Sequence, residues 1–175
     1  LSFVFSGQSV DDGAAGVAEA EDGGDLVIGL TDGVIDGGPD EADGREVFVV
    51  SSGPHNIVAF SHANPTQQLR TTRPLPFLPD NVHRGPDGSL LTAGMKDDEP
   101  ACGGTSGPTQ DFAQFSTCPR GFIAMAIDPV TMKETLFADG PTNPAFSNAT
   151  MVLAVGKQFW IGPFSGDRVG HGTLH

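Results

Sequence analysis

The sequence contains no tyrosine, one tryptophan and two cysteines, and only nine of its 175 residues are lysine or arginine. A nucleic-acid site requires clustered basic residues, whereas the nine here are scattered, so we expect no nucleic-acid partner. No apolar run approaches the roughly 18 residues that cross a bilayer, so we expect no membrane-spanning segment. Apolar residues with a 3.6-residue period are almost absent as well, which argues against a helical protein.

Acidic and turn-forming residues are what the chain has in excess. The 22 aspartates and glutamates give a formal net charge of −13, and the chain contains 24 glycines and 14 prolines. The hydrophobic content of 38% is nonetheless enough for a core, which argues against wholesale disorder. The length alone would predict one ordinary domain.

Short runs of β-branched and aromatic residues, bounded by Gly, Pro, Asp and Asn, predict strands. The predicted strands are Leu26–Leu30, Glu46–Ser51, Asn56–Ser61, Gln67–Thr71, Asn81–Arg84, Ser89–Gly94, Phe122–Ile127, Glu134–Ala138, Ala149–Val155, Gln158–Gly162 and Arg168–Leu174. The predicted fold class is therefore all-β.

Turn glycines recur at related positions along the chain. Gly44, Gly88 and Gly156 each precede a predicted strand and are separated by 44 and 68 residues. The second interval exceeds the first by 24 residues, the length of the loop-like segment 96–119, which we interpret as an insertion. A period near 44 with about four short strands per unit is typical of a β-propeller blade. A β-sandwich is the alternative, because its strands also recur every 8–12 residues or so.

This period divides the chain into a partial blade with an acidic, Gly-rich loop at residues 1–30 and three blades at residues 31–175. Three blades form about half of a ring, and an open half-ring leaves unpaired sheet edges, which natural proteins avoid. We therefore expect the missing blades to come from the same protein or from a second chain.

Side chains with oxygen donors occupy corresponding positions in the three units. Asp80 and Asn148 each lie eight residues before the turn glycine of their unit, and Asp32 lies twelve before its own. Together with Asn81, these residues offer the hard oxygen ligands that suit Ca²⁺ rather than Zn²⁺. The alternative is that Asp and Asn are present only as turn formers at strand starts.

Three segments carry a resemblance to a known family. The segment Leu78–Gly94 reads LPDNVHRGPDGSLLTAG and resembles the "DN…DG.L..G" blade of the gluconolactonase, regucalcin and paraoxonase superfamily. The segment Ala145–Val169 looks like the closing blade of that family. Thr31–Ile35, followed by Arg45–Val50, looks like the preceding blade. The resemblance covers about residues 31–174, and strictosidine-synthase-like propellers share its motifs.

The resemblance implies a six-bladed propeller that holds Ca²⁺ in its central channel and hydrolyses lactones or esters, with the metal polarising the carbonyl oxygen. Asp80 and Asn81 match ligands of the family, and Asp32 stands where the family has an asparagine ligand. The remaining family ligands and the histidines proposed as proton shuttles have no match in this chain. A propeller that binds a ligand without catalysis, or a strictosidine-synthase-like propeller without metal, is the alternative reading.

His83 follows Asn81 by two residues, so strand alternation predicts that both side chains lie on one face. We expect Asp80 and His83 to be the catalytic residues, with His83 as the general base for water. A packed histidine on an inner strand is the alternative.

Cys102 and Cys118 both lie in the predicted insertion. A disulfide that closes this loop is favoured over free thiols, and it would indicate an exported protein because cytosolic thiols stay reduced. A catalytic cysteine is not indicated, since neither has a histidine nearby in the sequence.

Overall fold

A computed structural model describes the backbone of residues 2–4 and the whole of residues 46–97, 99–102, 117–164 and 166–173. The predicted strand Leu26–Leu30 and the candidate ligand Asp32 lie outside the described residues. In the described ranges, no helix is long and apolar enough to span a membrane.

Eleven strands are described. They are β1 (Ser2–Val4), β2 (Glu46–Ser51), β3 (Asn56–Ser61), β4 (Gln68–Thr71), β5 (Leu78–Arg84), β6 (Leu90–Met95), β7 (Phe122–Ile127), β8 (Glu134–Gly140), β9 (Ala149–Val155), β10 (Gln158–Pro163) and β11 (Val169–Thr173). Sheet I has the order β2-β3-β4, sheet II the order β5-β6-β7-β8, and sheet III the order β9-β10-β11-β1. All neighbouring strands are antiparallel.

The all-β class is confirmed, and each predicted strand within the described residues is present with its ends displaced by three residues or fewer. The sequence did not predict β1, which pairs with β11 so that Val4 lies opposite Val169. This pairing joins residues from the two ends of the chain. A three-residue strand carries too little apolar pattern to be recognised without its partner.

Two of the tight turns need glycine. Gly88 and Gly156 have φ angles of 84° and 60°, values that disfavour any residue with a Cβ. In the first turn the carboxylate of Asp87 accepts hydrogen bonds from the backbone N–H of Ser89, at 3.1 Å, and from its hydroxyl, at 2.6 Å. These bonds lower the pKa of Asp87 and close the loop between β5 and β6.

Sheet II is the middle layer and has an apolar core on each face. The first cluster combines residues of sheet I, such as Phe48 and Ile57, with Leu90 and Ile127 of sheet II. The second cluster combines Leu91 and other sheet II residues with residues of sheet III. Each fully buried aliphatic or aromatic side chain contributes roughly 1.5–3 kcal/mol, so the burial of both faces of sheet II dominates the stability.

The three sheets pack face to face in chain order. One cross-strand pair in each sheet defines what we call its front face: Phe48–Ala59 in sheet I, Leu91–Ala126 in sheet II and Trp160–His171 in sheet III. The opposite side of each sheet is its back face. The front of sheet I packs on the back of sheet II, and the front of sheet II packs on the back of sheet III. The front of sheet III belongs to neither cluster.

Gly94 of β6 lies opposite Pro79, where β5 and β6 approach so closely that a Cβ at Gly94 would overlap the carbonyl oxygen of Leu78. We expect Gly94→Ala to lower the free energy of unfolding by about 1–3 kcal/mol, because the backbone must move to admit the methyl group. Urea denaturation followed by circular dichroism measures the change. Gly53→Ala is the matched control, since a Cβ there meets no atom within 4 Å. Equal midpoints for the two variants would contradict the close approach.

Candidate functional site

Asp80 occupies a β-bulge in β5. Pro79 pairs with Gly94 and Asn81 pairs with Ala93, so Asp80 is the extra residue that has no partner opposite it on β6. A bulge of this kind bends the strand and turns a side chain away from the regular alternation. The bulge therefore takes Asp80 out of the regular pairing of β5 with β6.

Contacts on two sides hold the bulge in place. The hydroxyl of Ser52, which follows β2, donates a hydrogen bond of 2.7 Å to the carbonyl oxygen of Pro79. On the other side, Gly94 allows β6 to approach the carbonyl of Leu78. Sheet I and β6 thus fix the backbone immediately before Asp80.

The carboxyl group of Asp80 is half-buried, and this burial raises its pKa above the usual range. No hydrogen bond or ion pair joins it to another of the described residues. A desolvated carboxylate without a partner costs stability, and such groups are enriched at functional sites. Asp80 is thus a candidate for binding a cation or holding a proton.

The amide of Asn81 connects β5 to sheet III. Its Nδ2 donates a hydrogen bond of 3.2 Å to the carbonyl oxygen of Thr150 in β9. This contact orients the amide and leaves Oδ1 without a hydrogen-bond donor among the described residues. A hard oxygen atom next to Asp80 in the sequence is therefore available to a ligand.

His83 lies on the same face of β5 as Asn81, because the two residues pair with Leu91 and Ala93 in one uninterrupted register. Its Nε2 atom is buried and has no hydrogen-bond partner within the described part of the chain. Burial lowers the pKa of His83, so the imidazole is neutral at pH 7. A neutral imidazole can accept a proton, which is the property required of a general base.

Asn148 forms a structural contact just before β9. It is buried and has a left-handed backbone, with a φ angle of 56°. Its Oδ1 accepts a hydrogen bond of 2.9 Å from the backbone N–H of Arg120, and its own N–H donates to the carbonyl of Arg120 at 3.2 Å. One lone pair of the predicted ligand atom is therefore already used within the fold.

Arg120 connects Asn148 to the base of the inserted segment. Its buried guanidinium group donates hydrogen bonds of 3.3 Å to the carbonyl oxygens of Lys96, Asp97 and Cys102. Cys102 is joined by a disulfide to Cys118, with the two Cα atoms 5.7 Å apart. The guanidinium and the disulfide together fix the two ends of this segment between β6 and β7.

The predicted site residues are only partly brought together. Asp80, Asn81 and His83 share β5, and Asn81 contacts Thr150, two residues beyond Asn148. Asp32 lies outside the described residues. Among the residues that the structure describes, no three His, Cys, Asp or Glu side chains converge on one point. The carboxylate of Asp80 and Oδ1 of Asn81 are oxygen donors of the type that Ca²⁺ prefers.

Comparison with known proteins places the chain in no family. No family model matches it, and no curated protein matches it. The resemblance described above consequently rests on the motifs of this sequence alone.

Ser52 and Thr150 contribute to the site but were not anticipated from the sequence. Ser52 contacts a residue 27 positions away and Asn81 contacts Thr150 across 69 positions. A serine in a turn and a backbone carbonyl in a strand carry no local signal of these roles. The roles arise only when the sheets stack.

The raised pKa of Asp80 predicts the pH dependence of its contribution to stability. Protonated Asp80 contributes its full share to the stability of the folded state below the ordinary pKa of 3.8. This contribution is lost as the pH rises through the higher pKa that Asp80 has in the folded state. Asp80→Asn should therefore raise the free energy of unfolding at pH 7, in the presence of a chelator, by up to about 1 kcal/mol, because the carboxylate remains partly solvated. The gain should vanish below pH 3.8. The exposed Asp167→Asn serves as the control, and an equal effect there would exclude burial as the cause.

The lowered pKa of His83 predicts a dependence of the opposite sign. Neutral His83 contributes its full share to the stability of the folded state above the ordinary pKa of 6.5. This contribution is lost as the pH falls through the lower pKa that His83 has in the folded state. We expect His83→Gln to reduce the loss of stability on acidification below pH 6.5. Urea midpoints at several pH values measure this slope. The exposed His62→Gln should keep the wild-type slope, and a wild-type slope in His83→Gln would contradict the assignment.

Proposed function

We propose that the three sheets are neighbouring blades of a β-propeller and that the protein is a calcium-dependent hydrolase of lactones or esters. The observation that carries this proposal is the desolvated carboxylate of Asp80, which lies in a bulge, has no partner among the described residues and precedes Asn81 in the sequence. Stability would be higher with an apolar or neutral residue at this position, so a role in binding accounts for the carboxylate.

The stacking order of the sheets supports the propeller. Neighbouring blades of a propeller pack face to face in chain order, and here sheet I packs on sheet II and sheet II packs on sheet III. The first strands of sheets II and III, β5 and β9, contact each other, as innermost strands around a channel do.

The proposed calcium ligands are Asp80 and Asn81, joined by Asp32 and Asn148. Asp80 and Asn81 present oxygen atoms with no donor in the described structure, whereas Asn148 would have to bind through the second lone pair of Oδ1. Bound Ca²⁺ would polarise the carbonyl group of a lactone or ester and stabilise the oxyanion. The further oxygen ligands that Ca²⁺ needs would come from water and from other parts of the protein.

His83 would act as the general base. Because its Nε2 is enclosed by protein, Nδ1 is the nitrogen that would accept a proton from the attacking water. The proton would then be passed to the leaving alkoxide as the ester bond breaks. Asp80 would position the water and the carbonyl relative to His83, while the contact of Asn81 with Thr150 keeps β5 against β9.

A ligand-binding propeller without catalysis is the second candidate. The absence of three converging acidic, histidine or cysteine side chains in the described ranges favours it. On this proposal the site would hold a small molecule through hydrogen bonds to Asn81 and His83. Binding would then persist in the presence of a chelator, without turnover.

The disulfide supports an exported or extracellular location. We propose a small-molecule lactone or ester as the substrate, and further blades supplied by the same protein or by a second chain.

The activity is tested with a small δ-lactone and an aryl ester as probes, in Ca²⁺ and in a chelator. We expect hydrolysis to require Ca²⁺ and Asp80→Ala to lower the rate by about 100-fold or more, since oxyanion stabilisation of this kind contributes 10²–10³. Calorimetry should show that Asp80→Ala also loses calcium binding. The exposed Asp167→Asn should keep both properties.

The pH profile adds a second readout. Because the pKa of His83 is lowered, the acidic limb of the rate should fall below pH 6.5, and His83→Gln should remove that limb along with most of the activity. Hydrolysis and calcium binding that survive Asp80→Ala would refute the proposed site. Ligand binding that survives chelation without hydrolysis would favour the binding module.

A further inference from the structure

A pocket opens at one end of sheet III, between the segment that precedes β9 and the loop that joins β10 to β11. Its volume is about 250 Å³. Its walls include Pro144, Phe146 and Ser147 on one side and Pro163, Asp167 and Arg168 on the other. Pockets for drug-sized ligands measure about 300–1,000 Å³, so this pocket suits a smaller molecule.

The wall that precedes β9 is held by hydrogen bonds and by ring packing. Asn143 accepts two hydrogen bonds, one at Oδ1 from the N–H of Ala145 at 2.8 Å and one at its carbonyl oxygen from the N–H of Phe146 at 3.0 Å. The ring of Phe146 is buried and packs edge-on against Phe122 of β7, with 5.5 Å between ring centroids. This wall is therefore fixed by the fold itself.

The opposite wall is joined to the first. The N–H of Phe164 donates a hydrogen bond of 3.1 Å to the carbonyl oxygen of Asn148. Next to it, Pro163 at the end of β10 lies opposite Ala149 at the start of β9. A pocket with both walls held in this way loses little conformational entropy when it binds a ligand, which favours affinity.

Arg168 supplies a positive charge to the pocket. Its side chain is 37% exposed, and its Nε lies 3.4 Å from Oδ1 of Asp167, whose side chain is 87% exposed. An ion pair this exposed is weak. A guanidinium carries five N–H donors in a planar arrangement that matches a carboxylate, and the contact with Asp167 is made through Nε. This contact is therefore compatible with a bidentate contact from the terminal nitrogens to a ligand.

The charges around the pocket favour a ligand with a single negative charge. One guanidinium neutralises one carboxylate, whereas the second charge of a dianion such as phosphate would face Asp167 without compensation. The net charge of −13 on the chain adds to this repulsion. Pro144 and Pro163 offer apolar surface to the rest of the ligand.

We propose that this pocket binds a small monocarboxylate with a compact apolar body, whose carboxylate pairs with Arg168 and whose body lies between Pro144 and Pro163. None of these three residues belongs to the proposed hydrolytic site, and the proposal requires neither calcium nor hydrolysis. A negative result for hydrolysis would leave it standing, and a negative result here would leave the calcium site untouched.

Benzoate is the probe, because it joins one carboxylate to a compact apolar ring. Calorimetric titration of the purified chain, in a chelator and at low ionic strength, should show one site with a dissociation constant of about 1 mM, a value that a small ligand can reach. Benzamide has nearly the same shape without the charge. It should bind at least about 10-fold more weakly, because it lacks charge-assisted hydrogen bonds.

Nuclear magnetic resonance locates the bound probe. Benzoate should shift the backbone amide resonances of Ser147 and Arg168, which line the pocket. The amide of Leu69 in β4 should not respond, since β4 belongs to sheet I. Shifts confined to sheet I or sheet II would place benzoate elsewhere and overturn the proposal.

Variants of the arginine test its role. Arg168→Gln should weaken benzoate binding by at least about 10-fold and leave benzamide binding unchanged. Arg168→Lys keeps the charge without the planar pair of donors, so its affinity should lie between those of the wild type and Arg168→Gln. Arg84→Gln is the matched control, because Arg84 is exposed and donates to the carbonyl of Gly88 in sheet II. Thermal melts establish that each variant is folded.

Three results would overturn the proposal. The first is the absence of saturable binding at millimolar benzoate. The second is equal affinity for benzoate in the wild type and in a folded Arg168→Gln variant, or equal affinity of the wild type for benzoate and benzamide. The third is tighter binding of inorganic phosphate than of benzoate, since the pocket would then select a dianion.

Discussion

The burial of sheet II on both faces is the constraint on which the rest of the structure depends. Its strands cannot alternate between apolar and polar residues as a half-exposed sheet does, because Leu90 and Leu91 point to opposite faces and both are buried. Polar residues placed on β5 are then desolvated by the neighbouring sheets. The unusual state of Asp80 and His83 follows from their position between layers rather than from any charged neighbour.

The same layering explains how distant segments fix the site. Ser52 of the β2–β3 turn holds the backbone of the bulge, and the carbonyl of Thr150 in β9 receives the amide of Asn81. Arg120 and Asn148 in turn secure the start of β9 to the start of β7. A change in the packing of sheet I or sheet III on sheet II would therefore alter the backbone position of β5 around Asp80.

Much of the architecture was predictable, for a local reason. Strands such as Glu46–Ser51 and Phe122–Ile127 are bounded by turn residues and contain β-branched or aromatic side chains, so their limits can be read from short windows. The shared face of Asn81 and His83 followed from strand alternation in the same way. The bulge at Asp80 could not be predicted, since it depends on the register with β6 and on the close approach at Gly94. The hydrogen bond from the backbone N–H of Arg120 to Oδ1 of Asn148 could not be predicted either, because the two residues are 28 positions apart.

The sequence by itself determined the strands, the turns that need glycine and the type of donor atom on β5, because each is set by residues within a few positions of one another. Only the tertiary structure decided which side chains are desolvated and which oxygen atoms accept hydrogen bonds within the described residues. Those properties arise from contacts between layers that are tens of residues apart in the chain. The burial of Asp80 and the raised pKa of its carboxyl group therefore depend on the way in which the sheets stack.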